Sequence, residues 1–353
     1  MHQRFIVLFG VILLASGGLF AVNAGARADA PQAINVSYQP TNYWALPFYL
    51  ATQKGWWEKV GLKPSFSTFP AGAPQMAASA AGSWDIGSTG SVPAVLGAAR
   101  YDILTIGISN DESATNALMV TESKYNEYSK SPKTIKGQQI LLTANSTGEY
   151  AVVSCLRKYG LSESDVTPVN MGQAQILSSL TSGTANLGAL WAPNIYTFEE
   201  KLHGKLFCSG RDSNTMIPGA LIVRSAYAKD HPDMVAKFLA VYEHSIKWER
   251  AHPAEAQQAL MAADKEGGTE ITAASAKAEM DLRPIYDLSQ QLRAMHRSGG
   301  QSDADKWFEG IITFMKDKGS IQAAPDTRSF ITDQYMQMVQ NDPKLRAFAN
   351  SSD

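Results

Sequence analysis

Cysteine is almost absent: the 353-residue chain has two, Cys155 and Cys208, both in its middle third. No Cys or His pair stands at metal-ligand spacing, so a structural zinc has no support. The two thiols could form one disulfide or remain two buried thiols, and spacing alone leaves both open. Sustained basic runs are missing as well, and the formal charge is −2. That leaves no electrostatic footprint for nucleic acid. Beyond residue 28 no apolar run is long enough to cross a bilayer.

What is present is an ordinary globular composition, 44% hydrophobic and 18% charged, with room for two lobes of normal size. The N-terminus has His2 and Arg4, a mostly apolar stretch from Phe5 to Phe20, then small residues ending in Ala26-Arg27-Ala28. This order reads as a secretory signal peptide over residues 1–28, cleaved after Ala28, and predicts a periplasmic protein. Gly10, Gly17 and Gly18 interrupt the run, which argues against a membrane anchor. With no cysteine near the cleavage point, a lipid anchor has no attachment site.

The rest of the chain is organised around Trp84-Asp85-Ile86-Gly87-Ser88-Thr89-Gly90-Ser91-Val92-Pro93. It reads as a buried strand that ends in hydroxyls and glycine, with a helix starting at Ser91. Pro93 fits the first helical turn. Free backbone N–H groups, the hydroxyls of Ser88, Thr89 and Ser91 and the positive end of a helix dipole would then converge on one point, an anion site. A capped helix whose hydroxyls serve only its own backbone is the competing reading. The segment has an echo: Met76, Ala80, Gly82, Asp85, Ile86 and Gly87 align, at an offset of 101, with Leu177, Thr181, Gly183, Asn186, Leu187 and Gly188. Two similar lobes with a cleft between them account for one such repeat better than a solenoid does.

Taken in order, Ile34–Tyr38 alternates like a strand, Gln39-Pro40-Thr41-Asn42 is a turn, and a helix runs from about Trp44 to Lys54. Gln39, Asn42, Tyr43 and Trp44 thus fall at the carboxyl edge of a sheet, where open α/β folds place ligands, although each ring could equally pack on the sheet. Trp56 and Trp57 are assigned to packing. Further strands alternate with helices, which predicts βαβ units and a mostly parallel sheet. Crossovers between lobes are placed at Ser109–Asn116 and Arg211–Pro218, with lobe 1 spanning 29–112 plus 215–353 and lobe 2 spanning 113–214. The adjacent carboxylates Asp111 and Glu112 read as a solvated hinge rather than an acid–base pair, Arg211 at the second crossover as a solvated hinge arginine that could instead add a charge to the cleft, and 121–133 as a polar connector. In the second lobe Ser146-Thr147-Gly148-Glu149 repeats the strand-to-helix junction; Ser146 and Glu149 match a capping box, and Glu149 could instead meet a ligand amine. Trp191 brings an aromatic to the same edge.

The combination of Ser37-Tyr38-Gln39, Asp85 to Pro93, Ser146-Thr147-Gly148-Glu149-Tyr150 and Leu190-Trp191-Ala192-Pro193 resembles the periplasmic solute-binding proteins of ABC importers for taurine and aliphatic sulfonates, relatives of nitrate- and pyrimidine-binding proteins. The resemblance implies a bilobal α/β, type II periplasmic-binding fold with two crossovers. It implies a small organic anion as ligand, taurine or another sulfonate first, and an inner-membrane permease with its cytoplasmic ATPase as partner. It further implies a monomer without cofactor or metal that is not an enzyme. Gln39, Thr89, Gly90, Ser91, Thr147, Gly148 and Trp191 would line the cleft. The aromatic stretch Pro40-Thr41-Asn42-Tyr43-Trp44 departs from a taurine-type cleft, and so does Gly148-Glu149, where bulkier or differently charged residues are expected. These departures keep an aromatic carboxylate or sulfonate (benzoate- or phthalate-like) as the alternative ligand, with nitrate or a pyrimidine behind it. A pyrimidine-forming enzyme on the same fold is the remote alternative, and the two unclustered cysteines argue against it.

Overall fold

The structure is a computed structural model, and it describes residues 30–353; the expected signal peptide lies outside the described residues. Ten strands follow in chain order: β1 (Gln32–Tyr38), β2 (Leu62–Thr68), β3 (Ile86–Gly90), β4 (Ile103–Asp111), β5 (Asn116–Val120), β6 (Gln139–Leu142), β7 (Thr167–Asn170), β8 (Leu187–Trp191), β9 (Lys205–Ser209) and β10 (Pro218–Arg224). They form two five-stranded sheets, ordered β2-β1-β3-β10-β4 and β7-β6-β8-β5-β9. In each sheet three parallel strands are followed by one antiparallel strand that has just crossed from the other sheet: β10 in the first, β5 in the second. The 101-residue echo is therefore topological, since Asp85-Ile86-Gly87 opens β3 and Asn186-Leu187-Gly188 opens β8.

Parallel neighbours require crossover connections, and these put helices on both faces of each sheet. Strands covered on two faces must be apolar on both. β10 sends Ala220 and Ile222 into a cluster with Phe308 and Met315, and Leu221 and Val223 into another with Phe238. β5 does the same: Leu118 and Val120 pack with Ile140 and Leu156, while Ala117 and Met119 pack with Ile176 and Phe198. Trp56 and Trp57 are buried in the first-sheet core, as their position past the helix end predicts.

The two crossovers run side by side. The Glu112 N–H donates to Ile217 O at 2.8 Å, and the Arg211 N–H donates to Ser113 O at 2.8 Å. Arg211 is exposed and its guanidinium donates to Leu282 O at 3.2 Å. Glu112 differs from the expected solvated hinge: it is 3% exposed, with its N–H held by Ile217 O and the Arg283 guanidinium close enough to act on its charge. The polar stretch 121–133 is also more than a connector. It contains the helix Glu122–Lys130, whose charged residues face solvent and whose Tyr128 alone is buried. Cys155 and Cys208 are joined in a disulfide that ties the helix Thr147–Lys158 to β9. Among the described residues, no helix is long and apolar enough to cross a membrane.

Candidate functional site

The loops that leave the carboxyl ends of β1, β3, β6 and β8 meet between the sheets. They enclose a chamber of about 30 Å³, walled by Gln39, Asn42 and Trp44 after β1, Ala71 and Gly72 after β2, and Gly90 and Pro93 after β3. Glu112 comes from the crossover, Ser146 and Thr147 follow β6, and Trp191 ends β8. The volume admits about two water-sized groups. Outside it lies a wider vestibule of about 450 Å³ that shares Gln39, Asn42, Ala71 and Trp191 and adds Phe69, Pro70 and Gln173. The geometry suits a small polar head held inside and a longer tail outside.

Two helices point their N-termini at the chamber. The helix Ser91–Arg100 follows β3 without an intervening turn, with Gly90 as its N-cap and no side-chain cap. Ser91 is fully buried, and its hydroxyl has no hydrogen-bond partner. A buried hydroxyl left without a partner is costly, and this one stands next to the chamber residue Gly90 without being a wall of the chamber itself. Around it stand the first N–H groups of the helix, unpaired by construction, and the positive end of the dipole. Gly90 is required here by close approach: a Cβ at this position would stand 2.7 Å from Thr147 Cγ2 of the opposite lobe.

The helix Thr147–Lys158 is finished differently. Ser146 Oγ accepts from the Glu149 N–H at 3.2 Å and donates to Thr143 O at 2.6 Å. Glu149 reaches back to accept from the Asn145 N–H at 2.8 Å, and its other oxygen lies 2.6 Å from Lys318 Nζ. Lys318 follows the helix Asp303–Asp317, which packs on the first sheet, and it also meets Glu163 at 2.7 Å. Glu149 is thus occupied by the cap and by an ion pair between lobes. Burial pushes its carboxyl up, while Lys318 and the Asn145 N–H pull it back down.

The other predicted residues divide into chamber walls and supports. Gln39, Asn42, Trp44, Gly90, Ser146, Thr147 and Trp191 line the chamber. Ser88 is turned into the sheet, where its hydroxyl donates to Ala220 O at 3.2 Å. Thr89 accepts from Gln39 Nε2 at 3.4 Å, and Gln39 is further held by Gln75. Gly148 lies under the Trp191 indole, where an added Cβ would be 3.3 Å from Cε3. Tyr43 is packed away from the chamber with its hydroxyl against the Glu249 carboxyl, which burial pushes up to about 8. Sequence reasoning passed over Ala71, Gly72 and Glu112 among the walls, and Glu112 is the ionisable one. Its sole sequence signal was two adjacent carboxylates at a crossover, and its burial depends on Arg283, far along the chain.

Two α/β lobes, paired crossovers and a cleft lined by strand-to-helix junctions define a bilobal solute-binding fold of the type II periplasmic class. The NMT1/THI5-like family model matches residues 42–256, and the chain belongs to that family. It is 31% identical over 264 residues to an aliphatic sulfonates-binding protein of Bacillus subtilis, covering 72% of this chain and 76% of that one. The taurine-binding periplasmic protein of Escherichia coli is 22% identical over 282 residues, covering 78% of this chain and 85% of the relative. Among solved structures, the periplasmic aliphatic sulphonate binding protein of Escherichia coli superposes with a TM-score of 0.70 at 19% identity. That match covers 87% of this chain and all of the other.

Proposed function

We propose that the chain is the extracytoplasmic binding component of an ABC importer and captures a small organic sulfonate head-first in the chamber. The single observation that carries this reading is the buried, unpartnered Ser91 hydroxyl at an uncapped helix N-terminus. A sulfonate has three acceptor oxygens and no donor, so it matches a cluster of neutral donors and needs no full counter-charge there. The named relatives, sulfonate- and taurine-binding proteins, support the same ligand class. Residues 29–112 plus 215–353 form one lobe and 113–214 the other, and rotation about the paired crossovers opens and closes the cleft. The protein binds without catalysis, a reading supported by its binding-protein relatives.

The test is a thermal-shift screen of the chain from residue 29, unfolded and refolded to remove carried-over ligand, against taurine, longer alkyl sulfonates, nitrate, benzoate and phthalate. A ligand that binds only the folded state raises the melting temperature. A rise with alkyl sulfonates is expected. A rise confined to benzoate and phthalate overturns the ligand class and leaves the fold-level role standing.

A further inference from the structure

The turn Pro40-Thr41-Asn42 is a wall common to the vestibule and to a further pocket of about 310 Å³. That pocket is lined by Tyr38, Tyr49, Leu46 and Leu260 and by two carboxylates, Asp264 and Glu266; no lysine, arginine or histidine lines it. Both acids stand in the last turn of the helix Pro253–Glu266, where the helix dipole already disfavours negative charge. Lys265, between them in sequence, turns to Glu270 at 3.6 Å. Glu266 is exposed and accepts from the Tyr49 hydroxyl at 3.3 Å. Asp264 is 2% exposed, and among the described residues no hydrogen bond or ion pair reaches its carboxylate.

Behind Asp264 the fully buried guanidinium of Arg283 has its one charge divided. It pairs with Glu279 at 2.8 Å, gives its Nε–H to Thr115 at 2.8 Å, and acts on Glu112 as well as on Asp264. Three buried carboxylates thus surround one guanidinium. A buried carboxyl with neither partner nor counter-charge keeps its proton. Burial, reinforced by Glu279 and opposed by Arg283, pushes the Asp264 carboxyl up to about 8. An entering ammonium group replaces that proton and supplies both the charge and the N–H donors that are missing. Aromatic walls add attraction for a cation, and the leucines accept a hydrocarbon body. No group of three or more His, Cys, Asp or Glu suited to a metal ion occurs among the described residues, which favours an organic cation over a divalent metal.

We propose that this pocket is a second binding site, separate from the sulfonate chamber, for a small organic ammonium: its N–H groups donate at the Asp264-Glu266 end and its hydrocarbon part packs on Leu46, Leu260 and the two tyrosines.

Isothermal titration of the chain from residue 29 at about pH 8.5, with 2-phenylethylammonium and its neutral isostere 2-phenylethanol, tests it. The ammonium is expected to bind about tenfold tighter or better, the range of a hydrogen bond to a buried charge. It stays charged throughout, whereas Asp264, faced by Glu266, Glu279, Arg283, Tyr38 and Tyr49, must lose its proton. Lowering the pH to about 6.5 should therefore weaken ammonium binding roughly tenfold or more and leave the alcohol unaffected. Asp264→Asn should erase both the preference and its pH dependence. Equal affinity of the unmodified protein for the two probes, or binding of neither, overturns the inference, and this comparison needs no variant to fold. A preference that survives in Asp264→Asn also overturns it, because the ammonium then sits elsewhere.

Discussion

The helices Ser91–Arg100 and Thr147–Lys158 begin at equivalent kinds of junction and face each other across the cleft, yet they are finished in opposite ways. The first has a glycine N-cap and a hydroxyl with nothing to hold. The second has its hydroxyl bonded twice, a glutamate folded back on the turn, a lysine pinned to that glutamate and a disulfide further along. One secondary-structure device thus serves two ends. An uncapped N-terminus keeps its donors available to a ligand, whereas a capped one spends them on holding the structure.

This contrast can be broken in several ways. Reducing the Cys155–Cys208 bond should have the largest effect: the bridge closes a separation of 53 residues, and its loss should cost about 2–4 kcal/mol in denaturant unfolding. Sulfonate binding at room temperature should persist as long as the second lobe stays folded. Next comes Gly90→Ala, whose methyl would strike Thr147 and keep the N-termini apart. Overpacking of this kind costs about 1–3 kcal/mol, so affinity should fall roughly tenfold to a hundredfold by titration calorimetry. Small-angle scattering with ligand should then show a more open particle.

The sharpest pair is Ser91→Ala against Ser146→Ala. The former should weaken sulfonate binding about tenfold with little change in melting temperature, because it removes a donor that holds nothing in the free protein. The latter should lower stability by about 1 kcal/mol through loss of a cap and leave affinity nearly unchanged. If both variants behave alike, the distinction between an open and a spent terminus is wrong.

The last effect concerns pH and the packing beside Tyr43. Burial holds the Glu249 carboxyl neutral up to about pH 8, against an ordinary value of 4.5. Between those values the unfolded chain carries fewer protons than the folded one, so stability falls as pH rises through that window. Glu249→Gln should flatten this fall. Its melting temperature is expected to exceed that of the unmodified protein by a few degrees at pH 8 and to match it near pH 5, read by scanning fluorimetry.

The strand-to-helix junctions were legible because each is local: a few residues set the strand end, the turn and the helix start. Gly90 and Ser91 could be placed from their own neighbours, as could the Ser146 cap, although Glu149 closes on the Asn145 N–H rather than on that of Ser146 as a capping box would. The roles of Glu112 and Lys318 could not. A carboxylate beside Asp111 at a crossover looks solvated until Ile217 and Arg283 are brought over it. Lys318 sits in a polar helix-end sequence that says nothing of Glu149 in the other lobe. The helix Glu122–Lys130 escaped notice because a nearly all-polar run with one buried tyrosine carries no strong amphipathic signal.

The clasp of Lys318 on Glu149 and Glu163 has its consequence in time. It joins the lobes in the conformation described, so part of the closed arrangement is held by the protein's own charges. Less of a ligand's interaction energy then goes into closing the cleft. If opening the cleft requires these ion pairs to part, entry and escape both slow, and residence lengthens with them. Added salt, by screening a partly exposed lysine, should quicken both.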